Sequence, residues 1–197
     1  NELGVLEEER ANYQDALSFF RQSLNIRMDA NNLMLQAESM NNVGFAYYLL
    51  LDPEHALVYW QQAEHLFQKI QFPIGIVRVR QSIGQLELAK GNWRNAFHIF
   101  TNAKSDAESL NSAEEKLVAD SDLAKLAFMQ GNFATSLTAL HAVYRQASES
   151  NDLRAMSEFG LWLADWSLLL GENNTASKLL DELSPRLQLS GSQEAKS

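Results

Sequence analysis

Cysteine is absent from this 197-residue chain, so a disulfide framework, a thiolate nucleophile and a cysteine-ligated zinc are all closed to it. That usage fits a reducing compartment, and a cytoplasmic location is the expectation. Basic residues are scarce too. Sixteen Lys and Arg stand against 25 Asp and Glu, a formal charge of −9, which argues against broad attraction to phosphate backbones or anionic lipid. Neither direct nucleic-acid contact nor a membrane surface is expected, and only a local basic patch is left open. Long hydrophobic runs are missing as well: the stretch "FGLWLADWSLLLG" at 159–171 is too short and too interrupted to span a bilayer. No signal-peptide pattern opens the chain, and a start at Asn1 rather than methionine reads as part of something longer. Hydrophobic residues, at 46%, are sufficient for a real core.

Glycine is sparse, nine residues in all, and its placement is informative. "GNW" at 91–93 returns as "GNF" at 131–133 and "GEN" at 171–173, a spacing of 40 residues that points to a repeat array. At the same spacing Leu3, Val43, Ile83, Leu123 and Leu163 form an aliphatic column. It is followed at once by the small column Gly4, Gly44, Gly84, Ala124 and Ala164. A second small column, Ala16, Ala56, Ala96, Ser136 and Ala176, precedes a large apolar one, Phe20, Trp60, Phe100, Leu140 and Leu180. A looser turn column runs Ala11, Leu51, Gly91, Gly131 and Gly171, with Tyr13, Pro53, Trp93, Phe133 and Asn173 two residues on.

Between turns the apolar residues fall at helical spacing, as in Ala96, Phe97, Phe100 and Ala103, so each repeat reads as two antiparallel helices. Start signals agree. Ser112 and Glu115 have capping-box spacing, and Asp52 before Pro53 suits an N-cap with a first-turn proline. Gly91, Gly131 and Gly171 suit the left-handed residue that closes a first helix. Gly84 and Ala96 admit close backbone approach, with Trp93 and Phe100 expected to fill the space beside them. Helix pairs are expected over about 1–27, 32–67, 73–109, 112–149 and 152–184, one repeat domain over 1–183, with a polar tail at 185–197 and the last helix ending at Ser184 before Pro185.

On these columns the chain resembles the tetratricopeptide repeat family, best in "IGQLELAKGNWRNAFHIFTNA" at 83–103 and next in "VGFAYYLLLDPEHALVYWQQA" at 43–63. The family's usual period is 34, so the six extra residues imply longer helices, and Met28, Gln68, Glu108 and Ser148 stand where a proline often ends the second helix. Long-helix variants of this period resemble arrays in bacterial regulators and in cargo or polarity adaptors. The resemblance implies an all-α, right-handed solenoid whose first helices line a concave groove for a protein or peptide. Family geometry places Asn41, Phe45, Tyr48, Arg78, Gln81, Gln85, Leu88, Ser121, Lys125, Phe128, Leu161, Asp165 and Leu168 in that groove. The aromatic and aliphatic members would bury a partner's side chains, or pack on neighbouring helices. The amides would pair with a peptide backbone, being both donor and acceptor.

The carboxylate clamp of chaperone-binding members is missing, since Asn41 with Phe45, Gln81 with Gln85 and Ser121 with Lys125 stand where its Lys–Asn pair would be. Arg78, Arg80 and Lys125 read as solvated charges ahead of a smaller anion site. Catalysis finds no support: His55, His65, His98 and His141 fall on second helices without a metal or triad pattern, and Asp165 between Trp162 and Trp166 reads as partner-paired or groove-facing. "GNWRNAF" lacks a second glycine and the Lys-Ser/Thr of a phosphate loop, and "NNT" at 173–175 is a chance sequon in a turn. No metal or cofactor is expected. The function expected is a non-catalytic interaction module, the sensory or scaffolding segment of a larger bacterial regulator. The alternative is the regulatory segment of a larger signalling enzyme, such as a cyclase or ATPase, whose catalytic domain lies elsewhere. Leu179, Leu180, Leu183, Leu187 and Leu189 are expected to form an apolar end face covered by further chain or by a second copy of the protein.

Overall fold

The computed structural model describes the backbone of residues 2–194 and the side chains of residues 2–185 apart from that of Glu9. Among the described residues every regular element is a helix: α1 (Glu2–Glu9), α2 (Tyr13–Asp29), α3 (Leu33–Leu49), α4 (Pro53–Lys69) and α5 (Pro73–Ala89). These are followed by α6 (Trp93–Ser109), α7 (Ala113–Met129), α8 (Phe133–Glu149), α9 (Leu153–Leu169) and α10 (Asn173–Glu194). From α2 to α9 each helix has 17 residues, about 26 Å of rise, and three-residue connectors separate them.

One turn chemistry sets that length. The residue two past each helix lies in the left-handed region: Ala11, Asn31, Leu51, Gln71, Asn111 and Asn151 at φ 52–60°, and Gly91, Gly131 and Gly171 at φ 78–80°. At Gly91 the backbone N–H donates to the Leu88 carbonyl at 3.0 Å, and the next N–H, of Asn92, donates to Glu87 at 2.9 Å. This pairing satisfies carbonyls that a helix end leaves bare. The third connector residue then opens the following helix. Asn32 accepts from the Leu35 N–H at 3.1 Å and Asp152 from that of Ala155 at 3.0 Å. Asp52 accepts from His55, and that backbone hydrogen bond holds the Asp52 carboxyl below its usual range. Asn92 behaves differently: its amide donates back to Glu87 at 3.1 Å and leaves the cap unmade.

The chain divides into two compact bodies, residues 1–116 and 117–197, with the boundary inside α7. In the N-terminal body successive helices pack from α1 through α6. Phe20, Trp60 and Phe100, all with no exposed surface, sit against glycines 4, 44 and 84. A Cβ on Gly84 would lie 2.5 Å from Phe100 Cε1, so the aromatic ring occupies the place of a side chain. In the C-terminal body α9 packs on α8 and α10. There the small column carries Ala124 and Ala164, the large column carries leucine instead of an aromatic, and Ser136 donates to the Ala124 carbonyl at 2.8 Å across α7 and α8.

Four expectations need correction. Trp93 is 40% exposed rather than packed, because Ala96 and Phe100 set the buried face of α6 and Trp93 falls off it. Glu115, read as the capping-box partner of Ser112, commits its carboxylate to Arg78. The last helix runs to Glu194 with Pro185 inside it; proline removes one N–H donor, and the residues around it, Asp181 through Pro185 apart from Leu183, are exposed, where water satisfies what is freed. The expected leucine end face is not one face either. Leu183 has no exposed surface, packing where a Cβ on Gly160 would stand, and Leu179 is also buried, which leaves Leu180 exposed. The side chains of Leu187 and Leu189 lie outside the described residues.

Candidate functional site

In the N-terminal body α3 and α5 face each other across a narrow cleft bordered by Glu38, Asn41, Asn42, Phe72 and Arg78. Asn41 is positioned by its own backbone, whose carbonyl accepts the indole N–H of the buried Trp60 at 3.2 Å. Its side-chain oxygen is shielded from solvent, yet accepts no hydrogen bond among the described residues. A shielded acceptor without a donor costs about 1–3 kcal/mol, a cost that a turn of the Asn41 amide into the cleft to meet a ligand N–H would relieve. Glu38 and Ser39 meet Arg27 of α2, its Nη1 standing 3.8 Å from the carboxylate and donating to the hydroxyl at 2.9 Å.

Arg78 stands on the other wall. Its Nε donates to Glu115 Oε1 at 2.6 Å and its Nη2 to Glu114 at 3.4 Å. Glu115 is 2% exposed, and burial pushes its carboxyl up in pKa against the opposing pull of the guanidinium. Gln81, also buried, donates to the Glu115 backbone carbonyl at 2.9 Å. Arg80 is aimed elsewhere, at Glu64 (2.9 Å) and Asp106 (3.8 Å). Both arginines therefore hold carboxylates already, which removes them as a ready anion site.

The other residues expected in this body divide by burial. Leu88 is 3% exposed, so it and Gln81 are corrected from partner contacts to core and strut: each turns toward the neighbouring helix. Phe45 and Tyr48 are half-buried, with ring centres 6.0 Å apart, and Tyr48 leans on Trp60 at 6.1 Å, so both pack on the core. Gln85 is half-buried and is engaged within the chain.

In the C-terminal body α7 and α9 carry an aromatic surface. Phe128 stacks on Trp166 with centroids 4.3 Å apart and planes at 19°, and Trp166 lies near parallel to Trp162 at 6.4 Å. Lys125 holds its ammonium 4.9 Å from the Trp162 ring centre, a cation–π contact. Leu161, Asp165 and Leu168 are exposed on α9. Ser121 is buried and donates to the Val118 carbonyl at 2.8 Å, so it is corrected to a structural residue. Trp162 and Trp166 were missed as surface residues in their own right. Their i, i+4 spacing, the same as that of Leu161 with Asp165, was the available signal.

Among the described residues no three His, Cys, Asp or Glu side chains are grouped as a metal ion requires, and no helix is long and apolar enough to cross a membrane. His55 pairs with Asp52 at 2.8 Å and stacks on Tyr47 at 5.0 Å. No protein-family model matches the sequence, and no curated protein matches it. Solved structures do. The Rap conjugation gene regulator of the plasmid pLS20, in complex with the Phr* peptide, superposes with a TM-score of 0.82 at 16% identity, over 98% of this chain and 52% of its own. Aspartyl phosphate phosphatase F from Bacillus subtilis gives 0.73 at 16% identity, over 95% and 49%. TPR-like repeats of a Podosopora anserina kinesin light chain give 0.58 at 14% identity, over 96% and 93%. The chain thus spans about half the length of the first two. At such identities the likeness speaks of architecture, and the architecture is an all-α array of helix pairs of the tetratricopeptide-like kind.

Proposed function

We propose that this chain is a non-catalytic module that recognises a peptide or protein segment on its first helices, as the sensory or scaffolding part of a larger bacterial regulator. The observation that carries this reading is the shielded, unmet oxygen of Asn41 in the cleft between α3 and α5. A main-chain N–H of an extended peptide is the donor that fits it, since every peptide supplies one whatever its sequence. The aromatic surface of Phe128, Trp162 and Trp166 offers apolar side chains a second landing place on the C-terminal body. The structural neighbours point the same way, one of them being a regulator in complex with a peptide. The array is a long-helix variant with a 40-residue period, supported by helix starts at residues 13, 33, 53, 73, 93, 113, 133, 153 and 173. One repeat domain and a cytoplasmic setting complete the reading.

The test is to pan a random heptapeptide display library on the chain and to titrate the recovered synthetic peptides by calorimetry. Asn41→Ala is expected to weaken their binding about tenfold, the value of one hydrogen bond, while the melting temperature holds. Phe128→Ala is expected to weaken binding of peptides with a large apolar residue. Panning that yields no peptide above background, or an Asn41→Ala variant with undiminished affinity, refutes the reading.

A further inference from the structure

A second surface lies away from these helices, on α6 of the N-terminal body. The buried side of α6 is Ala96, Phe100, Ala103 and Ala107, packed toward α5. The flank beside it exposes Trp93 (40%) and Phe97 (50%), one helical turn apart. Beside this apolar rail runs a polar one, Arg94 and His98, also one turn apart and both exposed, and together with Trp93 and Asn95 they border a shallow hollow at the start of the helix.

Charge around this side is unlike that of the chain as a whole. Between Glu87 and Asp106 there is no acidic residue, while Lys90, Arg94 and Lys104 fall in that span of a chain that carries −9. The nearest acid is occupied: Glu87 accepts from Asn92 at 3.1 Å and Asn95 at 2.7 Å and has Lys90 at 3.9 Å. Arg94 has no carboxylate partner among the described residues. A tryptophan and a phenylalanine left in water beside an unneutralised guanidinium form the kind of combination that interface centres favour.

We propose that this side of α6 docks an acidic amphipathic helix of a partner protein, its apolar rail on Trp93 and Phe97 and its carboxylates on Arg94 and His98. Rails one turn apart on α6 match rails one turn apart on a second helix, so side chains of both kinds register together. Carboxylates meet Arg94 bidentately, and the His98 imidazole offers a further N–H donor beside it. The inference does not rest on the peptide reading above, because no residue is shared with it.

The test uses two labelled 14-residue helical peptides with leucine at every third and fourth position, one with glutamate elsewhere and one with lysine, titrated with the intact chain by fluorescence anisotropy. The glutamate peptide is expected to bind and the lysine peptide to bind at least about tenfold more weakly. Arg94→Glu and Trp93→Ala are each expected to weaken the glutamate peptide about tenfold without changing the circular dichroism spectrum, and added salt to weaken it further. Met28→Ala, at an exposed apolar residue of α2 that neither reading uses, serves as control and is expected to leave it unchanged. No binding, equal binding of both peptides, or insensitivity to Arg94→Glu and Trp93→Ala overturns the proposal. So does sedimentation showing that the unliganded chain self-associates through this face and that Arg94→Glu disperses it, since the occupant is then a second copy.

Discussion

Leu51 is the most informative single residue to change. It sits in the connector after α3 at φ 60°, and its side chain is 89% exposed. The left-handed conformation costs an L-residue about 1–2 kcal/mol. Replacement by glycine removes that cost and, with so little surface covered, forfeits almost no burial. The two turn hydrogen bonds, Leu51 N–H to Tyr48 at 3.0 Å and Asp52 N–H to Tyr47 at 2.9 Å, belong to the backbone and persist. Against the gain stands the greater freedom of glycine in the unfolded chain, about 0.4–1 kcal/mol. Leu51→Gly is therefore expected to stabilise by up to about 1.6 kcal/mol, with a central value of about 0.8 kcal/mol, read as a higher urea midpoint at unchanged slope. The mirror change is Gly91→Ala, at φ 78° with nothing within 4 Å of an added Cβ, so backbone strain alone acts and a loss of similar size is expected. A destabilised Leu51→Gly, or a neutral Gly91→Ala, would refute the argument that conformation governs these turns.

Two further changes test packing and charge. Gly84→Ala sets a Cβ 2.5 Å from Phe100 Cε1 and 2.9 Å from Ile99 Cγ2; because Phe100 is fully enclosed, a loss of about 1–3 kcal/mol in thermal or urea unfolding is expected. Glu115 has a folded pKa raised by burial, so the folded state binds its proton more readily than the unfolded state does. Its contribution to stability is then largest below the unfolded value near 4.5 and declines as pH rises through the folded value. Glu115→Gln lacks that decline, so the stability of wild type relative to the variant should fall as pH is raised from 4 through the window above it. A difference that stays flat or grows with pH across that range counts against the burial argument.

How far the candidate site was legible follows the distinction between register and neighbourhood. Asn41 and Phe128 could be placed on first helices because recurring columns fix the rotation of each helix, and rotation follows from sequence periodicity. The buried state of Gln81, Leu88 and Ser121 could not be read that way. Each sits on the same helices as the exposed positions, and only the approach of the next helix decides whether a flank is open. Gln81 illustrates the point: it reads as a groove amide, yet its partner is the carbonyl of Glu115, 34 residues away. Leu179 and Leu183 read as an open face for the same reason, since the contact of Leu183 at Gly160 is a tertiary one. The pairing of Arg78 with Glu115 joins residues 37 apart, and no local pattern announces it.

What the sequence determined by itself is the helix-pair plan: where glycine or a tolerated left-handed residue stops each helix, which residue opens the next, and which small residues admit the ring of Trp60 or Phe100. Those are local or strictly periodic properties, written within one turn or one repeat. The tertiary structure alone decided which polar groups are spent and which remain available. Among the described residues Arg78, Arg80 and Glu87 find partners, while the Asn41 oxygen and the Arg94 guanidinium do not. Burial and pairing depend on distances of a few ångströms between segments far apart in sequence, and electrostatic and hydrogen-bond energies vary steeply over such distances.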